Sequence, residues 1–312
     1  MKLIISFLCY NEFSAPYLEY FLPSLEQNLQ NLNFDYQVII GDNSEKNDNK
    51  QIITNYFQTK TINWQLISFE RNLGFAAAYN RLLQIAEKNQ VEYFLMLNPD
   101  MILESDFLIK LIKGADLNPQ YAAFAPKIYQ WDFEHKLKTK IIDSCGIILK
   151  SGLRFSDLGQ GQIDHGQYDK AAITGPSGAA ALFRLSALKL IKKSEQYFDE
   201  RFFMYKEDCD LVYRLNQFGL KSLFLAEVLA YHDRSLTGKG NWLSTYQAWR
   251  GRSRQSRIWS FQGQQILFKK YYHQEDFLSR FLIRLQELFF FVFSLFLAKF
   301  LFKYNFKRHI LD

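Results

Sequence analysis

Four short apolar runs in the first hundred residues constrain this chain more than any other feature. Each ends on polar side chains, and each is separated from the next by a segment with helical spacing. Residues 3–8 form the first run and give way to Asn11 and Glu12. "YQVIIGDNS" is the second and ends on Asp42 and Asn43; "WQLISF" is the third and is followed by Arg71 and Asn72. "YFLML" is the fourth and stops on Asn98, Pro99 and Asp100. Between them the pattern predicts helices over 16–31, with Pro16 near the start, over 48–58, and after the turn at Gly74 in "ERNLGFAAAYNRLLQIAEKN". Strands alternating with helices indicate a parallel α/β sheet. In such sheets ligands bind beyond the carboxyl ends of the strands. Asn and Asp favour turns in their own right, so one polar tip needs no further explanation. Four in succession at one edge mark a pocket.

The chain has 312 residues, enough for one large domain or two small ones, and its 48% hydrophobic and 22% charged content is that of a globular protein. Thirty Phe and eighteen Tyr allow a sizeable core. Cys9, Cys145 and Cys209 are scattered, odd in number and without metal-type spacing, which argues against a disulfide scaffold and fits a reducing compartment. "MKLIISFLCYNE" lacks a small-residue cleavage site and reads as a first buried strand, not a signal peptide. The net charge of +6 is uneven: from Arg250 onward there are twelve Lys or Arg against four Asp or Glu. A nearly neutral body therefore carries a basic tail, which suits nucleic acid or an anionic lipid surface.

Beyond the fourth strand the sequence predicts a helix over 105–116 and an irregular region over 129–168. At 173–193, "ITGPSGAAALFRLSALKLIKK" opens with a Gly-Pro-Ser-Gly turn and becomes rich in small residues. Small side chains admit a substrate or another backbone, and equally suit a tightly packed helix entry. Residues 198–219, "FDERFFMYKEDCDLVYRLNQFG", crowd Glu207, Asp208 and Asp210 beside aromatics at the start of a helix that Gly219 would cap. The helix dipole accounts for one or two acids there. A carboxylate in a partly apolar pocket can also serve as a general base.

Taken in order, "CYNE", "GDNSEKND", "RNLGFAAAYNRLL", "LNPD", "FDERFFMYKEDCDLVYRLNQFG" and "YHDRS" resemble the motifs of family 2 glycosyltransferases, rhamnosyltransferase-like branch, from near the N-terminus to about residue 238. The resemblance implies a GT-A fold, an α/β architecture with a mostly parallel Rossmann-like sheet flanked by helices. It implies a domain over 1–240, with a nucleotide-sugar-binding half at 1–100 and an acceptor half at 101–240. It implies a nucleotide-sugar donor and Mg²⁺ or Mn²⁺. Asp42 would hydrogen-bond the base, Tyr10 and Arg71 would flank the base or diphosphate, and Asn72 and Gly74 would line the donor site. Gly74 would let backbone approach the nucleotide. Asp100 would bind the cation, and His232 would complete its shell or contact the diphosphate. Asn98 stands where the commonest form of the motif has Asp, so Asp100 would carry most of the metal binding. Asp208 would be the base of an inverting transfer, Glu207 would orient it or the acceptor, and Asp210 would make structural contacts.

The tail, 241–312, mixes Trp242, Trp249 and Trp259 with Arg250, Arg252, Arg254 and Arg257. Its segment 277–308 has a low-polarity core, Leu288 to Ala298, too short to span a bilayer. Arg280, Arg284, Glu287 and Ser294 share one helical stripe. A helix lying in the membrane interface fits this pattern; the alternative is packing on the protein's own core or a homodimer partner. The resulting expectation is a peripheral enzyme on the cytoplasmic face of the cell membrane, acting in cell-surface polysaccharide synthesis. Its acceptor would be a glycan or a polyprenyl-diphosphate-linked one, and nucleic acid is not an expected partner. dTDP-L-rhamnose is the expected donor and a UDP-hexose the alternative. Two rivals stand beside it. A nucleotidyltransferase would want a Gly-rich basic loop after the first strand, which "LCYNEFSAP" lacks. A non-catalytic glycan-binding protein would tolerate loss of Asp100 and Asp208.

Overall fold

A computed structural model describes residues 1–45, 48–233 and 253–301. Trp242, Trp249, Arg250, Arg252 and the end of the tail from 302 lie outside them. The first half alternates as the pattern predicts: β1 (Leu3–Cys9), α1 (Asn11–Leu29), β2 (Tyr36–Asp42), α2 (Asp48–Phe57), β3 (Trp64–Ser68), α3 (Gly74–Lys88) and β4 (Tyr93–Leu97). The helix α1 starts earlier than expected and contains both Pro16 and Pro23. Strand β1 shows why the apolar runs are unbroken. Leu3, Ile5 and Phe7 pack into a cluster with α1, and Ile4 packs on the opposite face with α3. Burial on both faces favours apolar residues throughout; the one polar side chain within the strand, Ser6, is small and donates to the Ile39 carbonyl at 2.7 Å.

The second half continues with β5 (Met101–Leu103), α4 (Phe107–Leu117), β6 (Ala123–Asp132), β7 (Leu137–Ser144), β8 (Ile147–Lys150), β9 (Arg154–Asp157), β10 (Ala180–Arg184), α5 (Leu185–Ile191), α6 (Glu207–Gln217) and β11 (Ser222–His232). The main sheet runs β3-β2-β1-β4-β10-β6-β11-β5, with β7 beside β6, and β8 and β9 form a separate hairpin. The sheet is mixed, which corrects the expectation of a mostly parallel one. The block β3-β2-β1-β4 is parallel, as is the pair β6 and β11. Strand β10, however, enters antiparallel between β4 and β6, and β5 and β7 pair antiparallel with β11 and β6.

Two local expectations are corrected as well. The region 129–168 is not irregular: it holds the end of β6 and all of β7, β8 and β9. The small-residue stretch after the Gly-Pro-Ser-Gly turn is a central strand, not a helix entry. Ala180 and Ala181 face Leu97 and Met96 across the ladder, and the helix begins only at Leu185. Small residues suit a position where two flanking strands and the layers on both faces close in.

Beyond β11 the described tail forms α7 (Arg254–Tyr271) and α8 (Phe277–Leu301). Leu267, Phe268 and Tyr271 of α7 and Ile283 of α8 share a cluster with Ile147, Leu153, Phe202, Cys209 and Tyr213. No helix among the described residues is long and apolar enough to cross a membrane.

Gly74 occupies a left-handed conformation, φ +78°, and a Cβ there would collide with the carbonyl oxygen of Phe203, which accepts from Phe75 N at 2.7 Å. A left-handed side chain costs about 1–2 kcal/mol and overpacking about 1–3 kcal/mol. Gly74→Ala is expected to lose roughly 2 kcal/mol or more of stability by urea unfolding; an unchanged midpoint would contradict this contact.

Candidate active site

A cavity of about 560 Å³ opens at the carboxyl ends of β1 and β4. Its wall includes Tyr10, Asn72, Asn98, Asp100, Glu207, Asp208 and His232, drawn together from the whole span of the fold. Asp42, Arg71 and Gly74 are not in the wall. The Asp42 carboxylate turns back and accepts from the backbone N–H of Ser44 at 3.0 Å. Its neighbour Asn43 lines the cavity instead, holding the next strand tip by accepting from Leu73 N and donating to the Gly74 carbonyl. Arg71 is exposed. The close approach that Gly74 allows is that of the Phe203 backbone.

One side of the cavity is set by strand register. Chain reversal after Asn98 and Pro99 makes β5 antiparallel to β11, with Met101 opposite His232. The residue before Met101 therefore lies beside the end of β11. Asp233 N donates to the Asp100 carbonyl at 2.9 Å, and His232 Nε2 lies 3.1 Å from Asp100 Oδ1. The other ring nitrogen, Nδ1, lies 2.9 Å from Oδ2 of Asp143, a fully buried carboxylate at the end of β7. Burial alone would lower the imidazole, but the Asp100 and Asp143 carboxylates outweigh it and push His232 up to about 10. Asp233 completes this corner by accepting from Tyr17 Oη at 2.6 Å.

The other side is the turn into α6. Tyr205 and Lys206 both hold left-handed conformations, φ 72° and 73°. Two such residues in a row cost on the order of 1–3 kcal/mol each and persist only where packing enforces them. Here α7 does so: Gly263 lies against the turn, and a Cβ on it would sit 2.7 Å from the Tyr205 carbonyl oxygen. The turn aims Asp208 at Gly178, whose N–H donates to Oδ2 at 3.0 Å, while Cys209 N donates to Oδ1 at 2.7 Å. A side chain at 178 would crowd that carboxylate, whereas one at 175 would collide with Val212 of α6, so the two glycines of the Gly-Pro-Ser-Gly turn serve the acid and the helix that carries it.

The three acids of this segment have different surroundings. Asp210 is fully buried and bonded to Arg214, Lys270 and Tyr271, the structural role expected for it. Asp208 is half-buried at the cavity wall. Glu207 is buried, and its Oε2 has no partner among the described residues. Burial first, and then the neighbouring Asp208 charge, hold the Glu207 carboxyl well above the usual range, so it keeps its proton and can donate a hydrogen bond.

Sequence reasoning put Asn43 at a polar strand tip without a role of its own, and missed Tyr17, Asp143, Asp233 and the Asp157 at the cavity wall. Asn43 and Asp233 sat inside quoted motifs, beside the residue chosen. Asp143 and Asp157 lie in the stretch taken as irregular.

Parallel strand tips thus face an acidic helix start across one cavity at the edge of a mixed sheet. The chain belongs to the glycosyl transferase family 2, whose profile matches residues 5–191. It is 26% identical over 220 residues to the rhamnosyltransferase WbbL of Escherichia coli strain K12, covering 67% of this chain and 78% of that protein. Among solved structures it resembles the mannosyltransferase PcManGT from Pyrobaculum calidifontis in complex with GDP-Man and Mn²⁺. That match has TM-score 0.53 and 13% identity, over 94% of this chain and 80% of that one. It also resembles S. aureus TarS, with TM-score 0.51 and 17% identity; the match covers 80% of this chain but 38% of TarS. These structural likenesses are likenesses of fold.

The raised Glu207 gives a pH test. The folded state binds this proton more tightly than the unfolded chain. Its contribution is full below the ordinary glutamate range and is lost as pH rises through the raised folded value. Glu207→Gln mimics the protonated form and is expected to flatten the decline of melting temperature as pH rises above the ordinary glutamate range. Parallel declines in the two proteins would contradict a protonated Glu207.

Proposed function

We propose that this glycosyltransferase moves a hexose, L-rhamnose, from dTDP-L-rhamnose to a glycan or lipid-linked acceptor in cell-surface polysaccharide synthesis, with inversion. The observation that carries the reaction is the placement of Asp208. Backbone N–H groups hold its oxygens at the cavity wall, while Tyr10, Asn43, Asn72, Asn98 and Asp100 belong to the strand tips and the loops beside them. The donor lies against those tips, and the acceptor approaches from the side of Asp208. Asp208 takes the proton of the acceptor hydroxyl as that oxygen bonds to the anomeric carbon. The bond from that carbon to the diphosphate oxygen breaks, and the nucleoside diphosphate leaves. A single displacement inverts the configuration. Glu207, protonated and buried behind Asp208, keeps a second negative charge away from the base. The rhamnose reading is supported by the likeness to WbbL.

A divalent cation, Mg²⁺ or Mn²⁺, fits the corner at Asp100. The donor set there is a carboxylate oxygen and, once a cation displaces the proton that Asp100 and Asp143 favour on the ring, an imidazole nitrogen. The second ring nitrogen is engaged by Asp143, the outer-shell carboxylate that orients metal-binding histidines. Among the described residues no three His, Cys, Asp or Glu side chains form a closed cage, so the donor's phosphates and water would supply the remaining ligands. When bound, the cation supplies charge that offsets the leaving diphosphate. The enzyme is proposed to work as a peripheral protein on the cytoplasmic face of the membrane. The basic, apolar tail supports that placement.

Asp208→Asn is expected to lower transfer by about 10²–10⁴-fold. It should keep the thermal shift that a nucleotide sugar with Mn²⁺ produces, since binding to the native state raises the melting temperature. A panel of dTDP-rhamnose and UDP-hexoses identifies the donor. Turnover of Asp208→Asn equal to wild type would remove Asp208 from the base role.

A further inference from the structure

Strand β9 borders two depressions. Phe155, Ser156 and Asp157 line the catalytic cavity, and Arg154, at the other end of the strand, lines a groove of about 200 Å³ against α8. Leu282, Leu285, Gln286, Phe289 and Phe290 form the rest of that groove. The helix is docked by its other face: Ser279 and Ile283 are buried, and Gln286 donates to the Gly152 carbonyl at 2.8 Å. Phe277, Phe281, Leu285, Leu288 and Phe289 are left open to solvent, Phe289 by 64% and Phe277 by 81%. Their spacing places them on one stripe of the helix. Large apolar side chains massed in this way mark a surface that is covered in use.

The charges around the stripe indicate what covers it. Lys150 and Arg154 are cross-strand partners at the end of the β8–β9 hairpin, and both are exposed. Arg280 and Arg284 stand on the helix itself, with Arg284 bonded to Glu287. A second copy of the chain would bring the same cations face to face across a two-fold axis, where like charges repel. Anionic headgroups would complement them.

We propose that the groove between β9 and α8 holds the hydrocarbon chain of a phosphate-bearing lipid. Its phosphate sits at Arg154 and Lys150, and the bilayer covers the apolar stripe. This deepens the proposed function and rests on it for the identity of the lipid as acceptor. Three residues of extended strand, roughly 10 Å, separate Arg154 from Asp157 at the catalytic cavity.

The full-length protein is tested by flotation with vesicles of phosphatidylcholine alone and of phosphatidylcholine with phosphatidylglycerol, three parts to one. The groove is tested by titration with farnesyl phosphate, farnesol and inorganic phosphate. Wild type is expected to float with the anionic vesicles and to bind farnesyl phosphate at least about tenfold more tightly than either fragment. The double variant Phe281→Glu, Leu288→Glu alters exposed positions outside the groove and should stay soluble and folded but lose flotation. Arg154→Glu should weaken farnesyl phosphate binding about tenfold while keeping the nucleotide-sugar thermal shift. Three results would overturn the proposal. Wild type could fail to float, inorganic phosphate could bind as well as farnesyl phosphate, or the chain could be a dimer that the double variant dissociates. Any of these with the nucleotide-sugar shift intact removes the lipid site alone; loss of that shift in wild type removes the catalytic reading instead.

Discussion

The antiparallel pairing of β5 with β11 is the constraint on which the site depends. Three ladder pairs, from Met101–His232 to Leu103–Ala230, bring together residues more than a hundred positions apart. Because side chains alternate along a strand, a slip of one residue would turn His232 away from both Asp100 and Asp143. The register is protected on both sides. Strand β11 is parallel to β6 down to His232–Gln130, and β6 pairs β7 next to Asp143. The mixed second half of the sheet is thus the means by which a carboxylate and an imidazole at the cavity wall are backed by a buried carboxylate.

The opposing wall uses burial to differentiate three neighbouring acids. Asp210 is surrounded by cationic and phenolic donors and fixes α6 to α7. Glu207 has lost its water without gaining a cation and is held neutral. Asp208 lines the cavity with a backbone donor on each oxygen. The helix dipole favours acids at all three positions, so it does not explain the division; the packing of the strained Tyr205–Lys206 turn against Gly263 does. The first tail helix therefore belongs to the catalytic architecture as well as to the surface beyond it.

The parallel block was legible because β1, β4 and most of β2 are buried on both faces, and such strands read as nearly continuous apolar runs. The strands between 123 and 157 were not. The β6–β7 ladder shifts register twice, and β7 begins exposed, so neither continuous apolarity nor clean alternation marks it. Strand β10 was hidden by its small residues, whose reason lies in the strands on either side. At the site, Asp100, Asp208 and His232 were visible through ordered motifs. Asp143 was not, since only the three-strand register brings it to His232. Asp42 and Asn43 show the limit of a strand tip read by eye. Adjacent residues at the end of a strand point opposite ways, and here the amide, not the carboxylate, faces the cavity.

The central claim is that Asp100 and His232 form one cation-and-diphosphate site with the strand tips. Calorimetric titration of a nucleoside diphosphate into the full-length protein, with and without Mn²⁺, tests it most directly. The account predicts that Mn²⁺ tightens binding in wild type and in Asp208→Asn, and that Asp100→Asn loses about tenfold or more of the Mn²⁺-dependent affinity. Mn²⁺-dependent binding of equal strength in Asp100→Asn and wild type would contradict it.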